Sequence, residues 1–341
     1  MSIDLRGRSV LTLEQFAPEE IRFLLQLAAE LKAARRNGNE TPRLSGRNIV
    51  LVSEGDSTGA FFGSEVAAYD QGARVVSLTL SASHVGQCGS IKDTARVLGR
   101  IYDAIEYCGH AQSVVEELAA YAHVPVHNGF TDESHPIHAL ADFLTMREIA
   151  GKELRDVTIA FVGDGRSSIA RSLAMGAAKL GMDFRMVSPP IFRPAPSFLD
   201  GVVSEARKHG GKFTALEHVG AGVLAADFIY TASWLGEQEE GWAERIRLLA
   251  PFGVRANVME ATENPHCKFM HCLPAFHDNS TKAGARVAKQ FGLGCMEVSD
   301  AIFESKASLV FDQAENRMHA IKAILVATIG DPHHVSAQGT L

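Results

Sequence analysis

The chain has 341 residues, enough for two domains of ordinary size, and 46% of them are hydrophobic while 21% are charged. The net charge of −7 argues against nucleic acid as the main partner, and no apolar run approaches the ~20 residues that span a bilayer. Five widely spread cysteines are typical of a reducing cytoplasm rather than of a disulfide framework. We therefore expect a cytoplasmic globular protein with no signal peptide, no membrane partner and no nucleic-acid partner.

Short apolar runs alternate with helical patterns in the first half of the chain. Strands are predicted at 48–53, 74–80, 104–108 and 124–127. Helices are predicted from Pro18 to about Arg36, up to Tyr69, and at 90–100, 113–122 and 135–149. Because the pattern breaks at residues 151–153, we place a domain boundary there and assign residues 1–150 to the first domain.

A second alternation follows this break. Strands are predicted at 157–162, 183–187, 212–216, 227–231 and 268–271, with a helix from Ser167 and a proline-rich loop at 189–196. A final helix at 313–329 could pack back on the first domain, and residues 331–341 resemble a flexible tail. The second domain is thus 151–312, and the whole chain is predicted to be α/β with two doubly wound parallel sheets.

The stretch at 268–278 joins the end of a strand to a turn with unusual chemistry. His271, Cys272 and Pro274 follow one another closely where the strand ends. In open α/β sheets, ligands bind at the carboxyl ends of the strands, so this turn is a candidate binding site. The alternative is an ordinary strand exit with a buried cysteine.

The glycines at 163 and 165 follow a strand, as in a dinucleotide fingerprint. Position 168 is serine where that fingerprint has its third glycine, and no suitable acid ends the next strand. We therefore expect no nucleotide cofactor, and indeed no cofactor of any kind.

Several longer motifs resemble one known family. They are residues 65–75 (EVAAYDQGARV), 90–99 (SIKDTARVLG), 226–231 (ADFIYT), 242–246 (WAERI), 269–278 (FMHCLPAFHD) and 311–319 (FDQAENRMH). With them the chain resembles the ornithine carbamoyltransferases, within the aspartate/ornithine carbamoyltransferase superfamily. The resemblance implies two α/β domains joined by two helices and a homotrimer with active sites between domains at subunit interfaces. It also implies a cis bond at Leu273-Pro274 and transfer of a carbamoyl group from carbamoyl phosphate to an amine.

The phosphate loop of this family reads Ser-Thr-Arg-Thr-Arg, and the chain departs from it. Ser57 and Thr58 match the first two positions. Gly59, Ala60 and Phe61 stand where the family has Arg, Thr and Arg. The resemblance therefore assigns these five residues to the substrate site. Two of the arginines that the family has in this loop are absent from this chain.

Other positions of the donor side are altered as well. Cys108 replaces an arginine of the family and Cys88 an interface lysine, whereas His138 replaces the glutamine of a His-Pro-x-Gln motif. His135 and Arg317 match the family and are the predicted catalytic residues on this side.

The number of lost cations decides what this pattern predicts. A charge-assisted hydrogen bond is worth roughly 1.5–3 kcal/mol. Losing two or three of them should remove about 3–9 kcal/mol, or roughly two to six decades of affinity. We therefore expect that carbamoyl phosphate is not bound in the way that the family binds it.

On the amino-acid side of the site, some residues of the family are retained and others are replaced. The aspartate that holds the ornithine amine is replaced by Ala232, and an asparagine that contacts the amino-acid backbone is replaced by Ser167. His271, Cys272 and Leu273 are retained. The resemblance assigns Cys272 a catalytic role and the other four residues a role in binding an amino-acid-like substrate.

The first hypothesis is an enzyme of this superfamily with changed substrates. An apolar donor pocket lined by Phe61, Cys108 and His138 favours a neutral ureido, amidino or acyl group. In this hypothesis His135 donates to a carbonyl-type oxygen, while Cys272 and the Leu273 carbonyl hold a planar NH2 group. Transfer and hydrolysis both stay open.

Three alternatives remain. The chain could be a non-catalytic paralogue that binds a small molecule or stabilises a partner. Cys88, Cys108, His135 and His138 could bind zinc, although no close Cys-x-x-Cys spacing supports a metal. An ordinary ornithine carbamoyltransferase with unusual phosphate binding is the last alternative.

Overall fold

The computed structural model describes residues 3–54, 58–80, 89–235 and 241–330, except for the side chains at 58–62. Ser57, Cys88 and the expected flexible tail at 331–341 lie outside this description. The chain forms two compact units, one of Met1–Leu144 with Glu315–Leu341 and the other of Thr145–Ala314.

The first unit contains a parallel sheet in the order β2-β1-β3-β4. In chain order the elements are α1 (Pro18–Arg36), β1 (Asn48–Glu54), α2 (Thr58–Asp70), β2 (Arg74–Leu80), α3 (Ile91–Ile101), β3 (Ala104–Cys108), α4 (Gln112–Ala122), β4 (Val126–Phe130) and α5 (Pro136–Ile149). The division between the units falls inside α5, after Leu144.

The second unit contains a parallel sheet in the order β7-β6-β5-β8-β9. Its elements are β5 (Thr158–Val162), α6 (Ser168–Leu180), β6 (Asp183–Val187), α7 (Pro196–Lys208), β7 (Lys212–Leu216), α8 (Val219–Val223), β8 (Phe228–Thr231), α9 (Trp242–Leu249), α10 (Ala256–Glu260), β9 (Lys268–His271), α11 (Lys282–Phe291) and α12 (Asp300–Phe303). The last helix, α13 (Val310–Ile329), begins in this unit and continues in the first. The predicted α/β class with two parallel sheets is confirmed.

Each sheet reverses its strand order once, and this reversal locates the candidate sites. The order changes direction between β1 and β3 in the first sheet and between β5 and β8 in the second. Ligands of open parallel sheets bind beyond the carboxyl ends of the strands at such a reversal. Cys108 ends β3, and Ala232 directly follows β8.

Local sequence explains where several helices begin. Ser90, Ser167 and Thr281 stand one residue before α3, α6 and α11. Each side-chain hydroxyl accepts a hydrogen bond from the backbone N–H three residues later, at 3.0–3.3 Å. Such caps satisfy amides that have no partner inside the helix.

At Gly99 a side chain would meet the Ala122 carbonyl oxygen at 1.7 Å, so only glycine lets α3 approach α4 this closely.

Burial explains why the central strands lack the alternating pattern of half-exposed strands. The five inner residues of β1 are all buried, whereas the edge strand β2 is partly exposed along its length. Helices cover both faces of a doubly wound parallel sheet, so its inner strands are apolar throughout. Among the described residues, no helix is both long and apolar enough to cross a membrane.

Several element boundaries differ from the sequence prediction, and the helices α7 to α12 were not predicted. The fourth strand is Val126–Phe130 rather than 124–127, because β4 is placed by pairing Ile105 of β3 with Val126. The predicted loop at 189–196 contains a short 3-10 helix at Pro190–Phe192, and α7 begins at Pro196, since proline suits a first helical turn.

A buried ion cluster ties α13 to the rest of the first unit. The Lys322 side chain is fully buried, and its Nζ donates to Glu40 Oε1 at 2.7 Å and Asp70 Oδ2 at 2.7 Å. Burial alone raises the pKa of Asp70, but Lys322 and Arg35 outweigh it and hold that pKa below its ordinary value of 3.8. This contribution to stability is therefore present above about pH 4 and is lost as the pH falls through the folded-state pKa.

We expect Lys322→Ala to lower the free energy of unfolding by about 3–5 kcal/mol at pH 7, because two acids lose their buried cation. Urea unfolding followed by circular dichroism measures this. Lys208→Ala is the control, since Lys208 is largely exposed and pairs with Glu205 at the surface. The control should cost less than about 1 kcal/mol, and equal losses in both variants would contradict the prediction.

Candidate active site

Cys108 lies at the carboxyl end of β3 and is fully buried. Burial raises the pKa of its thiol above the ordinary value of 9.0, and the nearby Glu106 raises it further while Arg317 opposes the shift. The group at this position is therefore a neutral thiol at physiological pH. A neutral thiol is at most a weak hydrogen-bond donor and cannot balance the charge of a phosphate.

Glu106 is a carboxylate enclosed within the same strand. It is 1% exposed, and Ser64 Oγ donates to its Oε1 at 2.8 Å. Burial raises its pKa, while Arg317 and the Ser64 hydrogen bond oppose that shift. The acid therefore keeps its charge only to the extent that the guanidinium supports it.

Arg317 is the cation that faces this group of residues from α13. Its Nη2 lies 3.5 Å from the carbonyl oxygen of Gly129, and its charge acts on Glu106, Cys108 and His135. The predicted catalytic arginine thus lies beside the end of β3, where the sequence comparison placed the donor site.

His135 and His138 complete the group at the start of α5. Their rings lie 5.0 Å apart, and the Phe130 ring packs edge-on against His135 at 5.2 Å. Burial lowers the pKa of His135 well below 6.5, with smaller effects from His138 and Arg317. His135 is therefore neutral at pH 7, and a neutral imidazole can donate one hydrogen bond to a carbonyl oxygen.

The described part of the first unit thus brings together Cys108, His135, His138 and Arg317, and their roles in a site stay predictions. Glu106 was not predicted, although an acid inside the apolar run AIEYC is a sequence signal that could have identified it. The backbone of residues 58–61 opens α2, but their side chains lie outside the description. The predicted roles of Thr58, Gly59, Ala60 and Phe61 stay predictions, as do those of Ser57 and Cys88.

The residues of the zinc hypothesis are not the residues whose ligand atoms lie close enough together to hold a metal ion. Among the residues that were described, His277, Asp300 and Glu304 offer ligand atoms within 4.8 Å of one another. Cys108, His135 and His138 do not form such a group there, and Cys88 lies outside the description.

In the second unit the stretch at 268–278 forms β9 and a tight turn. The bond Leu273-Pro274 is cis, as the family resemblance implies, and Leu273 has a φ of 29°. His271 is fully buried at the end of β9, and its backbone N–H donates to Gln313 Oε1 at 3.0 Å. Cys272 is half-buried, so the turn combines a fixed backbone with a more accessible thiol.

The other predicted residues of this unit lie beyond neighbouring strands. Ser167 caps α6, which follows β5, and Ala232 follows β8 with 7% exposure. Because β5, β8 and β9 are adjacent and parallel, their carboxyl ends lie at one edge of the sheet. This edge collects Ser167, Ala232 and His271, as expected for a binding site.

Asp164 and Arg245 were not singled out as site residues, yet they connect two loops at this edge. The Arg245 guanidinium donates both to the Asp164 carboxylate and to the Trp234 carbonyl oxygen. Trp234 is fully buried. Asp164 is one residue of the dismissed glycine fingerprint, and here it pairs with an arginine within the protein.

Comparisons with known proteins decide the family. A model described as the carbamoyl-P binding domain of aspartate/ornithine carbamoyltransferase matches residues 8–148. The model for the Asp/Orn binding domain of the same proteins matches residues 155–328. An ornithine carbamoyltransferase of Pediococcus pentosaceus is 50% identical over 333 residues, covering 97% of this chain and 100% of that protein. The chain belongs to the ornithine carbamoyltransferase family.

Solved structures of this family have the same fold. Ornithine carbamoyltransferase from Pyrococcus furiosus matches with a TM-score of 0.85 and 35% identity, covering 96% of this chain and 99% of that one. The Gloeobacter violaceus protein matches with a TM-score of 0.81 and 31% identity, covering 96% and 100%. The chain is therefore an enzyme of the carbamoyltransferase superfamily.

We expect iodoacetamide at pH 8 to label Cys108 at least ~100-fold more slowly in the native protein than in the denatured protein. Burial excludes the reagent, and the raised pKa removes the reactive thiolate. Peptide mass spectrometry after timed quenching measures the rate at each cysteine, with the half-buried Cys272 as an internal comparison. Equal native and denatured rates at Cys108 would show that the thiol is not enclosed.

Proposed function

We propose that this enzyme acts on a carbamoyl, ureido or amidino-type group of an amino-acid-like substrate and does not use carbamoyl phosphate with L-ornithine as its standard pair. The observation that carries the proposal is the buried thiol of Cys108 at the end of β3, where Arg317 is the cation that acts on it. A phosphate dianion needs several cations or charge-assisted donors, whereas a planar neutral group needs only a few well-placed hydrogen bonds.

The chemistry of this proposal follows from the protonation states on the donor side. Attack of a neutral amine on a carbonyl-type carbon places negative charge on the carbonyl oxygen. A neutral His135 donates one N–H to that oxygen, and the Arg317 guanidinium adds positive potential. The new bond between the amine nitrogen and the carbonyl-type carbon is balanced by cleavage of the bond to the leaving group, which departs with its electron pair and takes up the amine proton. His135 and Arg317 are assigned only to the oxygen, as a hydrogen-bond donor and as a positive charge.

The acceptor side supports an amino-acid-like substrate without the family's aspartate. The planar NH2 of the carbamoyl, ureido or amidino-type group is assigned to Cys272 and the Leu273 carbonyl, at a turn whose backbone is held by buried neighbours. Ala232 leaves an uncharged position beside β8. An acceptor whose amine is less basic than that of ornithine fits this position better, because no carboxylate is there to attract an ammonium group.

Ordinary ornithine carbamoylation is the second candidate. The 50% identical protein is named an ornithine carbamoyltransferase, and the similarity covers its whole length. This candidate requires that residues outside the described ranges supply the missing phosphate contacts.

A substrate panel separates these candidates. We expect no saturation by carbamoyl phosphate below about 1 mM, because two or three phosphate contacts are missing. We expect turnover with at least one neutral ureido, amidino or acyl compound in the presence of amino acids. His135→Ala should lower kcat of that reaction by about 100- to 1000-fold through loss of the carbonyl donor. His266→Ala, which alters an exposed histidine, is the matched control and should change kcat less than twofold.

The other outcomes of the panel are equally specific. Citrulline formation from L-ornithine and carbamoyl phosphate with micromolar half-saturation would establish the ordinary activity. Saturable binding of a compound with no turnover in the whole panel would indicate a non-catalytic paralogue.

We also propose a cytoplasmic homotrimer. The family resemblance supports the trimer, and the free thiols of Cys108, Cys267 and Cys295 support the reducing compartment. Native mass spectrometry of the purified protein should show an assembly of about three times the 36.8 kDa chain mass. It would also detect any co-purified small molecule or metal ion as added mass. A species at the mass of one chain at micromolar concentration would contradict the trimer.

A further inference from the structure

One fully buried carboxylate contacts both ends of the turn that carries Cys272. The Phe276 backbone N–H donates to Glu297 Oε1 at 2.6 Å, and His271 Nε2 lies 3.5 Å from the same oxygen. His271 precedes Cys272 and Leu273, and Phe276 follows them. A single oxygen atom therefore accepts a hydrogen bond from the exit of the turn and lies beside the side chain at its entry.

Glu297 is itself held rigidly. Its carbonyl oxygen accepts a hydrogen bond from the Val254 N–H at 2.8 Å, and the N–H of the preceding Met296 donates to the Phe276 carbonyl oxygen at 2.9 Å. Val254 and Val298 also form a parallel β-bridge. The backbone that presents the carboxylate is thus bonded to the core on one side and to the turn on the other.

Burial makes this contact hard to replace. The side chains of His271 and Glu297 are both 0% exposed. If the carboxylate is removed, the Phe276 N–H and the imidazole lose their contact in a place that water does not reach. The turn is then expected to shift, because Leu273 already has a φ of 29°, which lies outside the preferred backbone regions of leucine.

We propose that Glu297 is a positioning residue that sets the spacing between the Cys272 thiol and the Leu273 carbonyl for the substrate's planar NH2 group. The inference rests on the proposed function for the identity of the substrate group, but the position of the turn can be measured without any substrate. Glu297 touches neither reactant and acts through His271 and Phe276. It determines how well the planar NH2 of the carbamoyl, ureido or amidino-type group is held and has little effect on the attacking amine.

The test compares Glu297→Ala, Glu297→Gln and the control Glu260→Ala, which alters an exposed acid in the same unit. The first readout is the iodoacetamide labelling rate of Cys272, followed by peptide mass spectrometry. We expect Glu297→Ala to change this rate about fivefold or more, because the turn is no longer held. Glu297→Gln keeps an oxygen acceptor for the Phe276 N–H and should stay within about twofold of the parent, as should the control.

The second readout is kinetic and uses the substrate pair found in the panel. Glu297→Ala should raise KM for the substrate that carries the carbamoyl, ureido or amidino-type group about tenfold and leave KM for the attacking amine within twofold, because roughly one hydrogen bond to the planar NH2 group is lost. A purely structural role would instead lower kcat with both KM values unchanged. In the glutamine variant, this KM should return most of the way to the value of the parent protein.

Each outcome decides the proposal. An unchanged Cys272 rate in a folded Glu297→Ala protein overturns it, and so does a glutamine variant that behaves like alanine. If Glu297→Ala does not fold, Glu297→Asp replaces it, because the shorter side chain withdraws the carboxylate while keeping its charge. A Cys272 rate unchanged by Glu297→Asp also overturns the proposal. If no substrate pair is turned over, the labelling result still stands, so failure of the proposed function is distinguished from failure of the inference.

Discussion

The donor side of the first unit depends on the enclosure of Glu106, Cys108 and His135 away from water. Burial is the largest influence on all three groups, since it raises the pKa of the Glu106 carboxyl and of the Cys108 thiol and lowers the pKa of His135. The charge of Arg317 opposes the first two shifts and adds to the third. The enclosed groups therefore favour their neutral forms, in keeping with the neutral ligand that we propose.

The second unit uses a similar device for a different purpose. Glu297 and His271 are both fully buried, and the carboxylate contacts the turn at its entry and exit. There the acid contacts a turn, whereas Glu106 lies among the enclosed groups of the donor side. In both units an acid without access to water lies next to the carboxyl end of a parallel strand, where a ligand site is expected.

Membership of the ornithine carbamoyltransferase family says more about the fold of this chain than about its substrates. The chain is 50% identical to the Pediococcus pentosaceus protein over nearly its full length. Yet single positions such as Cys108 and Ala232 stand at strand ends, where one side chain determines whether a charge is present. We propose that such positions decide which ligand is bound, whereas the residues along the inner strands hold the sheets together.

The sequence by itself determined the parallel strands, the starts of α1, α3, α4, α5 and α6 to within one residue, the family and the retained turn at His271, because apolar runs, caps and motifs are local features. It did not reveal that Glu106 and Arg317, 211 positions apart, act on one another, or that Glu297 reaches both His271 and Phe276. It also placed β4 too early, since the pairing with β3 sets where that strand begins. Only tertiary structure decides such matters, because a buried charge is defined by neighbours that are distant in the chain and by the exclusion of water.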